Sequence, residues 1–517
     1  MADRAQPVSA RPGIGAAACI AALVLGTLAA VAWRAEPGGG LSAADWAAVR
    51  FTLLQATLSA LFSVGLAIPV ARALARRRFA GRSALIALLG VPFILPVIVA
   101  ILGLLEVFGR AGLISQLLGL FGLDPIRIYG LHGVVLAHVF LNLPLATRLI
   151  LQGWQEVPAE RFRLAAQLGF DAPAMFRLIE WPLLRQVVPG ALAVVFAICL
   201  TSFAVALTLG GGPKATTIEL GIYQAFRFEF DLGRAALLSG LQILLATGAA
   251  MVAIRLAQGT GFGTGLDRSL RRWDGRTTLA ITTDTVWIAL AAAFLLLPLG
   301  AIVASGVPGF AGLPFVVWKA AGVSLLVATA STLLLLLAAL PMAAAIATGR
   351  HAIELAGLLG LAASPLVIGT GLFILIRPIA DPFLLALPVT ALVNALISLP
   401  FAMRILVPRA RGIVERYGKL GLSLDMANVP FLWRVFLPRM RAQIGFAAGL
   451  GMALSIGDLG VITLFADPDI ATLPLQIYRL MGAYQMEAAA GGALLLLLLS
   501  VGTFWLLDKG GRHHAEV

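Results

Sequence analysis

Apolar runs about as long as an α-helix needs to cross a bilayer, roughly twenty residues, recur along the whole of this chain. Twelve can be read, at about 13–33, 51–74, 84–108, 129–151, 187–209, 234–256, 280–305, 318–347, 353–377, 384–406, 442–465 and 488–507. In lipid a backbone must satisfy its own N–H and C=O groups, which leaves helices or closed barrels. Runs of this length without strict alternation specify helices. The sequence therefore predicts an all-α polytopic membrane protein with about twelve transmembrane helices. Composition agrees: charged residues are 12% of the 517 and the mean hydropathy is +0.96, where a soluble domain carries about a quarter charged residues.

Charge placement sets an expected orientation. "RALARRRFAGR" (Arg72–Arg82) lies between the second and third runs and "LDRSLRRWDGR" (Leu266–Arg276) between the sixth and seventh. The positive-inside rule assigns both to the cytoplasm, and both termini with them. "LGGGPKATTIELGIYQAFRFEFD" then falls on the outer face. The excess of 38 basic over 25 acidic residues follows the loops. No basic stretch with interleaved aromatics suggests nucleic acid. Arg4 and Arg11 precede a first run that exceeds the about 7–15 residues of a signal-peptide core, so it reads as a retained span. Cys19 and Cys199 sit inside apolar runs as small hydrophobes. No metal-ligand spacing appears.

The pattern repeats. "NLPLATRLIL" (Asn142–Leu151) returns as "SLPFAMRILV" (Ser398–Val407), and Pro144/Pro400, Arg148/Arg404 and Pro182/Pro438 are each 256 residues apart. Tyr223 and Tyr478 are 255 apart. We read residues 1–257 and 280–517 as two halves of about six helices each, joined by a basic, Gly-rich cytoplasmic linker at 258–279. An even number of spans makes the halves parallel repeats.

Between the fourth and fifth runs the grease gives way to "RLAAQLGFDAPAMFRLIEWP" (Arg163–Pro182). Phe162, Ala165, Ala166 and Gly169 share one face of a short helix. Its small residues would let another surface come close to the backbone. Gly169 can end this helix in the left-handed conformation. Asp171 can cap a second helix with Pro173 in its first turn, whose Phe176 and Ile179 would pack back on the bundle. The hairpin, at about 156–182, returns at about 412–438.

This hairpin resembles the "EAA" loop of ABC-importer permeases. Ala165, Gly169, Phe176, Ile179 and Pro182 match that pattern, while Arg163 stands at its Glu position and Leu164 at its first Ala. The second copy, anchored on Leu437 and Pro438, has Lys419 at the Glu position, Leu420 and Gly421 at the Ala pair, and Asp425 at the Gly position. Asp is among the few residues that tolerate a left-handed conformation. With "SFAVALTLGGGPKATTIELGIYQA", "HVFLNLPLATRLILQ" and "LSIGDLGVITLF", most of the chain is similar to the fused, two-halved permeases of bacterial thiamine/thiamine-pyrophosphate importers. The resemblance implies a bacterial inner-membrane permease embedded in lipid. Its two coupling loops would dock two copies of a cytoplasmic ATPase, and a periplasmic binding protein would deliver the cargo. ATP and Mg²⁺ would be used by that ATPase. This chain has no GxxxxGK[ST]; "GGGPKATT" lacks the strand and helix of a phosphate loop. No cofactor, catalytic residue or enzyme activity is expected of it. Fused iron(III) permeases share the two-halved plan. An ion-coupled secondary transporter is the alternative of another class, although it gives no reason for twin hairpins.

Polar residues at membrane depth are costly and mark function or interior contacts. Asp458 in "LSIGDLG" and Ser202, 256 residues before it, are candidates for the translocation path, where a carboxylate could offset a cationic cargo. A hydrogen bond from Asp458 to a neighbouring helix is the structural alternative. Glu219 is a third path candidate. With Arg227 it is placed in the outer segment, either at a gate or binding-protein contact or in a solvated loop. His138 reads as a core histidine.

Overall fold

The computed structural model describes residues 7–35, 40–90, 94–256, 275, 277–362, 364–465 and 470–512, so the linker expected at 258–279 lies almost wholly outside them. Among the described residues there are helices and no strands. Helices α1 (Arg11–Arg34) and α2 (Ala43–Arg76) are followed by a short α3 (Arg82–Leu88), then α4 (Val97–Phe108) and α5 (Leu113–Leu120). Next come α6 (Leu131–Glu156), α7 (Ala159–Gln167), α8 (Ala172–Met175), α9 (Trp181–Leu200), α10 (Ala204–Leu209), α11 (Ile218–Arg227) and α12 (Leu232–Leu256). Beyond the linker lie α13 (Thr278–Ala311), α14 (Phe315–Ala347), α15 (Ala352–Ala362), α16 (Pro365–Ile376) and α17 (Ala386–Ser423). The chain continues through α18 (Val429–Phe431), α19 (Leu437–Ile456), α20 (Gly460–Phe465), α21 (Leu473–Gly482) and α22 (Met486–Arg512).

Among the described residues, eleven helical stretches are long and apolar enough to cross a membrane, and a twelfth follows if the pair Ala352–Gly360 and Pro365–Ile376, bent by 92°, counts as one. That pair occupies the run expected at 353–377. Its bend falls where Ser364 caps α16 and Pro365 begins it. Proline has no N–H to donate backwards and pushes the preceding residue into an extended conformation. The run expected at 84–108 is divided in the same manner: α3 stops at Leu88, Pro96 precedes α4, and the stretch long enough to cross is Val97–Leu120.

Local caps fix several starts. Ser42 and Asp45 form a reciprocal capping box at α2, with Asp45 N–H donating to Ser42 Oγ at 3.1 Å and Ser42 N–H to Asp45 Oδ2 at 2.9 Å. Thr217 and Thr277 cap α11 and α13. Long-range packing then exchanges the leading helices. α1 lies against α14, α15 and α16, whereas α13 lies against α2, α4 and α22. Glycine permits the closest approaches: a Cβ at Gly103 would lie 2.6 Å from the Pro298 carbonyl oxygen, and one at Gly371 2.5 Å from that of Thr27. Phe294 of α13 meets Phe108 and Phe140 edge-on. At the end of the bundle that carries Arg72–Arg77, Arg77 Nε donates to Asp284 Oδ2 at 2.7 Å, joining α2 to the start of α13.

Candidate docking hairpins and central path

In the first hairpin, Val157 and Pro158 end α6 and start α7, because the proline denies α6 its next N–H. α7 closes on Gly169, whose φ of +66° is the left-handed value a side chain resists. Asp171 Oδ1 then accepts the Ala174 N–H at 2.8 Å and caps α8. A π-helical turn, Phe176–Glu180, leads into Trp181 and Pro182. Val157, Phe162, Ala165 and Met175 form a small core of the hairpin's own, with Phe170, Ile179 and Leu183 around it. The surface that approaches Ala165 closely is thus the hairpin's returning limb. Ala165 is buried and unavailable to a second protein. The outward face is instead Arg163, Leu164, Ala166 and Leu168. Phe176, expected to pack on the bundle, is exposed; it lies beside Trp181 and under the Arg72 guanidinium, 5.7 Å from its ring centroid.

The second hairpin differs on one side and agrees on the other. No separate short helix forms: α17 runs unbroken from Ala386 to Ser423. Val414 stands where Pro158 would fall 256 residues on, so no proline ends the helix there, and α17 continues past its internal Pro400 and Pro408. Beyond it the geometry converges. Asp425 has φ +56°, and a π-helical turn at Leu432–Phe436 precedes Leu437 and Pro438. Gly421 is buried as Ala165 is, and Phe431 fills the Met175 position; a Cβ at Gly421 would lie 2.6 Å from the Phe431 ring. The smaller residue in one limb is matched by the larger in the other. Outside, Leu164 and Leu420 are each 55% exposed, and Leu168 and Leu424 63% and 59%. Paired apolar knobs therefore flank both left-handed turns, with Arg163 and Lys419 alongside.

Among the described residues, a buried ion pair latches the first hairpin and none is seen at the second. Glu180, fully buried in the π-turn, accepts from Arg72 at 2.8 Å and from Arg76 at 3.5 Å. Arg76 also reaches Asp284 of α13, at 4.0 Å. The corresponding position in the second hairpin is Phe436, also fully buried.

At the centre, the runs expected at 187–209 and 442–465 are interrupted. α9 stops at Leu200 and α10 begins at Ala204; α19 stops at Ile456 and α20 begins at Gly460. Ser202 and Asp458 occupy these breaks. Asp458 Oδ1 accepts the Gly460 N–H at 3.1 Å, so the hydrogen bond it makes is local. Gly457 lies on Pro96, where a Cβ would be 3.0 Å from the proline Cβ, bringing this break against the start of α4. The interrupted helix leaves carbonyls without an intrahelical donor. Gln55 Nε2 donates to the Cys199 carbonyl at 2.9 Å, Gln242 Nε2 to that of Leu200 at 3.0 Å, and Asn394 Nδ2 to Ser455 Oγ at 3.0 Å. The sequence reading does not single out these three, although amides inside apolar runs carry the same signal as Asp458.

Glu219 is not in a solvated loop or on the outer surface. It lies fully buried in the first turn of α11, and neither of its carboxylate oxygens has a hydrogen-bond partner among the described residues. Arg227, at the end of that helix, lines a pocket of about 610 Å³ with Phe226, Phe373, Arg377 and Asp381. His138 is buried, its Nδ1 3.1 Å from Ser59 Oγ.

A many-helix bundle that carries two exposed hairpins and breaks two of its apolar helices has the build of a multi-pass transport permease. No family model matches the chain. Named relatives match it from end to end. The thiamine transport system permease protein ThiP of Escherichia coli is 39% identical over 530 residues, covering 98% of both chains. That of Brucella abortus is 37% identical over 97% of this chain and 95% of its own. That of Haemophilus influenzae is 33% identical over 87% and 86%. The chain belongs to the thiamine transport system permease family.

Proposed function

We propose that the chain is the membrane subunit of an ATP-driven importer of thiamine, thiamine pyrophosphate or both. The observation that carries this reading is the matched pair of hairpins, each with a left-handed turn, a π-turn and two exposed leucines at the same spacing, in a chain related along its length to thiamine transport permeases. Each hairpin docks one copy of an ATPase, the exposed leucines seating in the ATPase groove and Arg163 and Lys419 setting register. Both hairpins and both termini face the cytoplasm, and the halves are parallel repeats. A periplasmic binding protein delivers cargo to the opposite end, where the Arg227–Arg377 pocket opens. ATP and Mg²⁺ act in the ATPase; its closure drives the hairpins together and turns the halves as rigid bodies. Asp458 and Ser202, held where helix geometry is broken, face the cargo, and the carboxylate offsets the fixed positive charge of a thiazolium ring. Uptake of labelled thiamine by cells expressing the chain with its ATPase and binding protein tests the assignment. Uptake should vanish when the ATPase carries a hydrolysis-dead site. Persistence of uptake there would instead indicate coupling to an ion gradient.

A further inference from the structure

The geometry points to the arm Pro7–Val8 as the part of the chain that completes the second hairpin. In the first hairpin the buried side of α7 is filled by Phe162, which is 5% exposed in the small core with Val157, Ala165 and Met175. The residue 256 positions on is Gly418, which has no side chain to contribute and yet is buried. Pro7 covers it: a Cβ at Gly418 would lie 3.1 Å from Pro7 Cγ. Val8 beside it is 6% exposed and belongs to the main core. The two hairpins also differ where their returning limbs start. In the first, the Asp171 side chain caps α8. In the second, Asn428 makes no side-chain cap, holds φ at +58°, and donates its backbone N–H to the Pro7 carbonyl at 2.8 Å. A proline ring thus stands where the first hairpin has an aromatic plug, and its carbonyl ties down the residue from which the second returning limb starts.

The arm is a positioning element, and among the described residues the first hairpin has no counterpart to it. It holds the limb from Asn428 to Phe431 against α17 and so sets the spacing between Leu424 and Trp433 on the outer face. That the spacing matters for an ATPase rests on the docking reading above; that the arm sets it does not.

Hydrogen exchange on the full chain in lipid nanodiscs separates the two. In the Pro7→Gly/Val8→Gly double variant, amides of 412–438 should exchange about ten-fold faster while those of 156–182 keep their rates. Adding Gly418→Phe restores an aromatic plug from the hairpin's own side and should recover most of the protection. Unchanged exchange in 412–438, or equal loosening of both hairpins, overturns the proposal. The same preparations are then mixed with the ATPase. Weakened retention of one of two ATPase copies supports both readings. A loosened hairpin with undiminished ATPase retention supports the arm's role and counts against docking.

Discussion

The latch at Glu180 offers a quantitative test of how the first hairpin is held. Glu180→Gln keeps the side-chain shape and removes its charge. Breaking a buried, hydrogen-bonded ion pair by removing one partner costs about 3–5 kcal/mol, because the other charge is left without compensation. Here the loss is moderated twice. The Arg72 side chain is 30% exposed and regains water, while Arg76, 4% exposed, keeps Asp284 at 4.0 Å. A value at the low end, about 3 kcal/mol, corresponds to roughly a hundredfold change in an opening equilibrium. The π-turn is a small unit at the end of the bundle, so the cost should appear as local opening. Exchange of the 172–182 amides in the full chain should therefore rise about a hundredfold, with 412–438 unchanged because Phe436 seats that hairpin without charge. Asp284→Asn probes the other side of Arg76. The two effects should fail to add by at least about 0.5 kcal/mol, as expected for residues sharing one partner. Less than a threefold rise in 172–182, or an equal rise in both hairpins, would refute the latch.

Three further outcomes follow from the same geometry. Gly169→Val finds open space for its side chain but must hold φ at +66°; the strain of about 1–2 kcal/mol should lower retention of the ATPase in co-purification without reducing membrane insertion. Gly421→Ala places a methyl 2.6 Å from the Phe431 ring and should destabilise the second hairpin by about 1–3 kcal/mol, whereas Gly421→Ala/Phe431→Met, which copies the Ala165–Met175 pair, should relieve most of it in the same exchange measurement. Asp458→Asn should slow thiamine uptake well beyond any loss of assembled complex; equal losses in both would reduce Asp458 to a cap for α20.

Hydropathy alone determined that this is a multi-pass helical protein, because twenty apolar residues in succession have few other ways to satisfy their backbone. Local chemistry also made the turn positions legible: Gly169 and Asp425 tolerate a left-handed backbone angle, and they adopt it. The interruptions at 201–203 and 457–459 were not legible, since no proline marks them and the apolar character resumes directly beyond Ser202 and Asp458. Nor could the sequence say which side of an amphipathic helix faces inward. Ala165 and Leu164 are neighbours on one short helix, and only the seating of Met175 decides that the alanine is covered and the leucine bare. Glu219 shows the same limit: its charge left a path, a gate and a solvated loop all open, and the packing of α11 buries it fully. What tertiary structure alone decided are the contacts between residues hundreds of positions apart: α1 on α16, Arg76 between Glu180 and Asp284, Pro7 on Gly418. Hydropathy and propensity act within a turn or two of helix, whereas these depend on which surfaces meet once the helices have packed.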